Sequence, residues 1–362
     1  MKEKINRKSL AEGKFMYYKN NFCKIVLLLI ITILIGEFLH AQSIGRVGTT
    51  AASFLKIGVG GRALGMGEAY TTLAEDISGV YWNPAGIAEF NTMQAFVNHY
   101  DYIGDLYYDF GAFALPIENL GTFAVFVGRL GMPDIERTTI DYPNGTGEKV
   151  SASSVVIGLS YARALTDRFS IGGNVKLINE SIWHSSASAV AFDIGVLYRT
   201  FFKNIRIGMS ISNFGSQMKM EGRDMLVQHD ISGAFEGNNE NINAYMDTDE
   251  FPLPILFRVG LSANITNDFL GIEEHDWIIS IDAIHPNDNK EYMNIGTELK
   301  LFDLISLRSG FRQLLLEDRE GGLTLGFGLQ YKVMDIDLRI DYANVDYGRL
   351  DHQNKFSLIL SF

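Results

Sequence analysis

The sequence is poor in the residues on which many catalytic and nucleic-acid-binding sites depend. Its 362 residues include one cysteine, Cys23, and 31 Lys+Arg stand against 43 Asp+Glu. A single cysteine excludes a disulfide within the chain and a zinc-thiolate site. The net charge of −12, without a cluster of basic residues, argues against a nucleic-acid partner, because phosphate binding depends on clustered Lys and Arg.

Motifs of catalysis and cofactor binding are also missing. The sequence contains no H-E-x-x-H pair and no G-x-S-x-G elbow, and the glycines after Gly58 have neither dinucleotide-binding spacing nor a Walker lysine. Asp247, Asp249 and Glu250 could hold Ca²⁺ through hard oxygens, although a solvated acidic loop is the simpler interpretation. We therefore predict a non-enzymatic protein with no cofactor and no resident metal.

Residues 1–41 have the layout of a secretory signal peptide. A basic region precedes an apolar run at 25–39, which is shorter than the roughly 20 residues that a membrane-spanning helix needs. We expect cleavage after the small Ala41, which would leave an exported chain without cysteine. An uncleaved membrane anchor is the alternative. Met1 and Met16 both stay open as the true start.

The rest of the chain alternates with a period of two. In 205–213, for example, apolar side chains alternate with small or polar ones, which is typical of a strand with one apolar and one polar face. Fourteen such segments follow residue 91. Their even number, and a length near that of a tilted strand crossing a bilayer, indicate a membrane barrel. The segments are 92–103, 105–116, 119–129, 152–163, 169–182, 190–200, 204–215, 253–266, 275–286, 291–302, 304–315, 321–334, 335–346 and 352–362.

The lengths of the connections support the same fold. The two longest, 130–151 and 216–252, both follow odd-numbered segments, so they would emerge at one end of an up-and-down barrel, as in outer-membrane proteins. We therefore predict an all-β fold, a transmembrane antiparallel barrel of about 14 strands over 92–362, embedded in the lipid of the bacterial outer membrane. A soluble periplasmic β-protein is the alternative, and its apolar faces would have to pair with each other.

The chain ends in a strand that places four apolar residues on one face. A terminal aromatic in such a strand resembles the signal by which bacterial outer-membrane barrels are inserted. An ordinary amphipathic last strand is the alternative. The four residues are Phe356, Leu358, Leu360 and Phe362.

Residues 42–91 depart from the strand pattern and contain the most specific motif in the sequence. Closely spaced glycines permit positive φ or close backbone approach, and Asn83-Pro84 favours a turn after which Pro84 can open a short helix. We predict that 42–91 form a small helical, glycine-rich plug inside or under the barrel.

The segment contains a Gly- and Ala-rich opening and, after it, an aromatic-Asn-Pro-Ala-Gly element. The residues are Gly60, Gly61, Arg62, Ala63, Gly65, Gly67, Trp82, Asn83, Pro84, Ala85 and Gly86. These two elements resemble those of the PorV/PorQ family, a branch of the FadL-like outer-membrane barrels.

The resemblance implies a component of the type IX secretion system, a barrel that receives cargo with a C-terminal signal domain from the secretion translocon and passes it on. The alternative is a FadL-like transporter of hydrophobic small molecules with 42–91 as its hatch. Such a transporter needs an apolar lumen, so inward faces that read as small and charged favour the secretion role. Inward charges indicate either a water-filled lumen or a closing network of ion pairs. They include Asp335, Asp337, Arg339, Asp341 and Arg206.

Overall fold

A computed structural model gives the structure of residues 47–230, 242–272, 274–316, 319 and 321–362. The predicted signal peptide and both possible start codons lie outside the described residues. Within those described ranges, no helix is long and apolar enough to cross a membrane.

Fourteen antiparallel strands form one closed barrel. Each strand pairs with the next one along the chain, and the first pairs with the last, which closes the ring. The predicted up-and-down barrel is therefore confirmed. The strands are β1 (Gln94–Asp101), β2 (Tyr107–Ile117), β3 (Gly121–Gly131), β4 (Ala152–Thr166), β5 (Phe169–Ile182), β6 (Ser185–Arg199), β7 (Arg206–Gly215), β8 (Leu256–Asn264), β9 (His275–Pro286), β10 (Tyr292–Leu301), β11 (Ile305–Leu314), β12 (Leu323–Val333), β13 (Ile336–Asp346) and β14 (His352–Ser361).

One predicted strand boundary is wrong by several residues. β6 begins at Ser185 rather than at 190, and only Trp183 and His184 separate it from β5. Trp183 adopts a φ of +52°, which closes the tight turn without a glycine or proline to mark it in the sequence. The first residues of β6 are serine and alanine, so the apolar alternation that reveals a strand is absent there.

Side chains alternate between lipid and lumen along the barrel. On β3, Phe123, Val125 and Val127 are exposed on the outer surface, whereas Ala124 and Phe126 are buried inside. The outward positions of the other strands are mostly apolar as well, so the barrel presents an apolar band to its surroundings. This pattern suits a bilayer and does not suit a soluble β-protein.

The two ends of the barrel differ in the length of their connections. Connections after odd-numbered strands form what we call the long-loop rim, and the two longest are 132–151 and 216–255. Connections after even-numbered strands form the short-turn rim: 118–120, 167–168, 200–205, 265–274, 302–304 and 334–335. The expectation that the long loops share one end is confirmed. Long loops are extracellular and short turns periplasmic in barrels of this class.

Residues 50–91, which we call the inner segment, lie inside the ring. They contain a 3₁₀ helix (Ser53–Lys56), two short helices, α1 (Gly61–Gly65) and α2 (Gly79–Trp82), and a second 3₁₀ helix (Pro84–Glu89). The segment starts at the long-loop rim, where Lys56 pairs with Asp288, and ends at the short-turn rim, where Glu89 pairs with Arg199.

Candidate functional site

Six glycines of the barrel wall let the inner segment touch the strands directly. They face the lumen on β5, β6, β7, β10, β11 and β12, and a Cβ on any of them would lie less than 3.0 Å from an atom of the inner segment. Glycine inside a strand marks such close approach of another backbone. The six are Gly172, Gly195, Gly208, Gly296, Gly310 and Gly326.

The glycine-rich opening of the inner segment, from Gly60 to Gly67, begins against the strands at which the barrel closes. The backbone N–H of Gly60 donates to Asn98 Oδ1 at 3.3 Å, and that of Gly61 donates to Ser357 Oγ at 2.9 Å. Ala63 is buried in the same turn. The opening is thereby attached to β1 and β14, the two strands at which the barrel closes.

The last glycines of the opening face the neighbouring part of the wall, at β11 and β12. Gly65 lies against Gly326 of β12, and its carbonyl oxygen accepts a hydrogen bond from Thr324 Oγ1 at 3.1 Å. Gly67 has a φ of +64°, and a Cβ there would come within 2.7 Å of the backbone nitrogen of Phe311. Side chains at these two positions would force the inner segment away from the wall.

Asn83 joins the second half of the motif to the rest of the lumen. Its Oδ1 accepts a hydrogen bond from the Ala85 N–H at 3.1 Å and caps the second 3₁₀ helix, and Pro84 takes the first position, where no N–H is needed. Its Nδ2 donates to the carbonyl oxygens of Thr71 at 2.9 Å and Val196 at 3.1 Å. One side chain therefore holds two parts of the inner segment against β6.

Trp82 and Gly86 pack the motif internally. The indole Nε1 of Trp82 donates to the carbonyl oxygen of Val59 at 2.9 Å. A Cβ at Gly86 would lie only 1.7 Å from the carbonyl oxygen of Ala74, so no residue with a side chain fits at that position without backbone movement.

A closed ring of six ion-paired side chains fills one side of the lumen. The ring contains three arginines and three carboxylates, so its net charge is zero, and five of the six are almost fully buried. Two members belong to the inner segment and four to the wall. They are Arg62 and Asp76 of the inner segment, Glu298 of β10, Arg308 of β11, and Arg339 and Asp341 of β13.

Glu298 joins the inner segment to the wall within this ring. Its Oε2 is 2.7 Å from Arg62 Nη2, and its Oε1 is 2.7 Å from Arg308 Nε. Arg62 also donates a second hydrogen bond to Glu298 through Nε, at 3.0 Å. Loss of this carboxylate would leave the three buried or half-buried guanidinium groups of the ring with only two carboxylates.

The other carboxylates close the ring. Asp341 accepts from Arg308 Nη1 at 2.7 Å and from Arg339 Nε at 3.0 Å. Arg339 also pairs with Asp76, whose Oδ2 is 3.6 Å from Arg62 Nη1. Of the two predictions for inward charge, the ion-pair network is therefore the one that this side of the lumen realises.

A second ionic cluster ties the inner segment to the short-turn rim. Arg199 Nη2 is 2.6 Å from Glu89 Oε2, and Arg206 pairs with Glu75. Burial raises the pKa of the Glu75 carboxyl, but Arg206 outweighs it and leaves that pKa below its usual range. Burial and the charge of Glu75 raise the pKa of Glu89, and Arg199 opposes this rise.

The inward positions of β2, β3 and β4 carry no charge, although they include the buried hydroxyl groups of Thr122 and Ser160. Phe110, Phe126 and Val156 instead form one buried cluster with Leu55 and Val80 of the inner segment. The expectation that the inward faces are small and charged throughout is therefore wrong, because aromatic and aliphatic side chains line this part of the wall.

We call the contact between the inner segment and β2–β4 the apolar seam. A cavity of about 20 Å³ lies within it, between Val80, Phe110, Phe126 and Val156. That volume is close to what one water molecule requires. Its remaining wall is polar and includes Lys176, Asp193 and Arg258, where Lys176 Nζ is 2.7 Å from Asp193 Oδ1.

Two further expectations from the sequence concern charges outside the lumen. Asp335 was expected to face inward, but it lies exposed in the turn between β12 and β13. Asp247, one of the three possible Ca²⁺ ligands, is 2.6 Å from Lys219 Nζ, which neutralises it. Across the described ranges, no group of three or more His, Cys, Asp or Glu side chains has the arrangement of a metal site.

The last strand presents its apolar residues to lipid. Phe356 and Phe362 are exposed on the outer surface of β14 and just after it, on the same face as Leu358 and Leu360. Their service as an insertion signal stays a prediction.

Comparisons with solved structures identify the fold. The structure is similar to the Pseudomonas putida toluene transporter TodX, with a TM-score of 0.51, 12% identity, and coverage of 84% of this chain and 97% of that chain. The Ralstonia pickettii toluene transporter TbuX gives a TM-score of 0.50 at 11% identity, with 84% and 97% covered. A Pseudomonas aeruginosa FadL homologue gives 0.48 at 13% identity, with 84% and 98% covered. At such identities the likeness concerns the fold alone.

Comparisons of the sequence place the chain in a family. Curated proteins give no match. The profile of an uncharacterised protein family, UPF0164, matches residues 39–358, which is most of the chain. The chain therefore belongs to UPF0164, and its fold is a 14-stranded β-barrel of the bacterial outer membrane.

Proposed function

We propose that this protein is a channel for small hydrophobic molecules across the outer membrane, and that the inner segment is its hatch. The apolar seam between the inner segment and β2–β4 is the observation that supports this proposal. A hydrophobic solute cannot replace the partner of a buried charge, so it needs a path along which no ion pair has to separate. The role belongs to the alternative that the sequence left open.

The two sides of the lumen would then have different tasks. On the side of β10, β11 and β13, the ring around Glu298 anchors the inner segment, and parting there would expose unpaired buried charges. Against β2–β4 the contacts are apolar, and dispersion contacts are individually weak. A small shift of the inner segment would open the seam first and leave the ionic anchor intact.

The solved structures with this fold support the same class of solute. TodX and TbuX are both described as toluene transporters. A monoaromatic hydrocarbon is therefore a suitable first probe, since it is apolar and flat and would pass along a seam lined by Phe110 and Phe126 once the inner segment has shifted.

The test is uptake of radiolabelled toluene by cells that carry the barrel, compared with cells that lack it. We expect faster initial uptake with the wild-type chain and a severalfold loss of that gain in Val156→Phe, which fills the seam. The matched control is Val155→Phe, the adjacent position on β4 that faces lipid, and it should behave like the wild type. Heat-modifiable migration in gels checks that each variant is folded. Equal uptake with and without the barrel, or with and without the filled seam, would overturn the proposal.

The secretion role implied by the PorV/PorQ resemblance is the second candidate. It is supported by the two longest loops, which carry paired ribbons of their own at Ile135–Glu136 with Lys149–Val150 and at Leu226–His229 with Ile242–Tyr245. Such loops offer backbone and side-chain surface for a protein partner. Affinity capture from detergent-solubilised outer membranes tests this candidate, which requires co-purified translocon subunits or exported proteins that share a C-terminal domain.

A further inference from the structure

The short turns carry large exposed apolar side chains where polar turn residues are the norm. Phe302 is 78% exposed, Met334 90% and Phe201 82%. Of the six connections at the short-turn rim, five carry at least one such residue, and only 167–168 does not. The full set is Leu120, Phe201, Phe202, Phe269, Leu270, Ile272, Phe302, Leu304 and Met334.

On β2 and β3, the apolar band of the wall is short without the turn that joins these two strands. Its boundary near the long-loop rim is a row of outward charges, Asp109 of β2 paired in register with Arg129 of β3. From position 109 to the end of β2 at 117 is eight residues, or about 20 Å along the barrel axis at a strand tilt of about 40°. The hydrophobic band of such barrels is about 25 Å tall. The missing height corresponds to one turn, here the one that contains Leu120.

Charged groups beside the exposed apolar side chains of the short turns limit how deeply these side chains can enter the bilayer. The Arg168 guanidinium is 4.4 Å from the centre of the Phe201 ring, and Lys203 Nζ is 5.7 Å from that of Phe269. Asp303 and Asp335 follow Phe302 and Met334 directly. An apolar body with a charged neighbour is the composition of side chains that settle between hydrocarbon and water.

We propose that the short turns are seated in the headgroup layer of the adjacent lipid leaflet, so that the turn residues complete the lipid-facing band. The partner of this surface is phospholipid, because the exposed apolar side chains of the turns adjoin the lipid-facing faces of β2, β11 and β13. The barrel then sits deeply on its short-turn side and projects mainly at its long-loop rim. This inference is independent of the solute that passes through the lumen.

The experiment measures the depth of single nitroxide labels in the full barrel reconstituted in phosphatidylcholine vesicles. Phe302→Cys and Met334→Cys are made in a Cys23→Ser background, labelled, and compared by the accessibility of the label to oxygen and to a water-soluble nickel chelate. Val125→Cys marks the lipid-facing wall. Ile140→Cys, which is fully exposed in a long loop, marks water.

We expect both turn labels to have an oxygen-to-nickel accessibility ratio several times that of Ile140→Cys and below that of Val125→Cys. A ratio equal to that of Ile140→Cys at both turns would overturn the proposal. The exposed apolar side chains of the short turns would then be a surface for a soluble partner. Because two different turns carry the labels, failure of one variant to fold leaves the other to decide.

Discussion

Glu298 is the residue on which the ionic anchor of the lumen depends most directly. It is fully buried and shared by Arg62 and Arg308 at 2.7 Å each. We expect Glu298→Gln to lower the free energy of unfolding by about 3–5 kcal/mol, because the buried ring would then hold three arginines but only two carboxylates. Urea unfolding in detergent, followed by tryptophan fluorescence, measures this change.

The control for this substitution is a carboxylate with an exposed partner. Glu148 pairs with Arg137 at 2.7 Å in a long loop, and both side chains are open to solvent. Glu148→Gln should cost at most about 1 kcal/mol. Equal effects of the two substitutions would contradict the anchoring role of Glu298.

Gly86 sets the conformation of the aromatic-Asn-Pro-Ala-Gly element. Since a Cβ there would lie 1.7 Å from the Ala74 carbonyl oxygen, Gly86→Ala should leave the barrel strands formed but the inner segment unseated. Limited proteolysis should then cut within 50–91 at least tenfold faster than in the wild type. Gly111→Ala on β2 is the control, because its nearest neighbouring atom is 3.8 Å away. A protected inner segment in Gly86→Ala would show that the backbone can adjust.

At the scale of the element, the inner segment is held at both rims and along one wall. Glu75 and Glu89 hold its end to Arg206 and Arg199. Replacing both glutamates by alanine should free that end, because the two arginines then lose their partners. We expect more frequent current openings in planar lipid bilayers, by roughly tenfold, with Glu148→Ala unchanged. An equally closed channel would mean that the wall contacts alone hold the segment.

The inner segment also shows where local pattern fails. Its own glycines are conspicuous in the sequence, but the glycines that receive it, such as Gly195 and Gly310, sit singly within ordinary strands. A glycine at an inward position of a strand is the signal that could have found them. Nothing in the alternation of those strands says which backbone approaches, since the partner is more than a hundred residues away in the chain.

At the scale of the whole molecule, assembly depends on the strand that closes the ring. β14 pairs with β1, and the chain ends at Phe362 on its lipid-facing side. We expect Phe362→Ala to reduce the fraction of heat-modifiable, membrane-inserted protein severalfold if the terminal aromatic is read during insertion. Phe123→Ala removes another lipid-facing aromatic, on β3, and should insert normally. Equal insertion of both variants would show that Phe362 is an ordinary packing residue.

The barrel itself was determined by the sequence. A period of two exposes one side chain in two to lipid, so alternation alone predicts the strand count, the sides of each strand and the rim on which the long loops emerge. The alternation does not predict the start of β6, because serine and alanine differ too little in hydropathy to reveal a strand. The residues from Gly60 to Gly86 likewise predict a compact glycine-rich segment from local sequence alone.

Only the tertiary structure decided how the lumen is divided. Arg62 meets Glu298 and Asp76 meets Arg339 across more than two hundred residues of chain. An inward charge looks the same in the sequence whether water or another charge neutralises it. The apolar inward faces of β2–β4 are likewise visible as a pattern, but which part of the inner segment covers them depends on the closure of the ring. Long-range pairing determines those contacts, and no local periodicity encodes it.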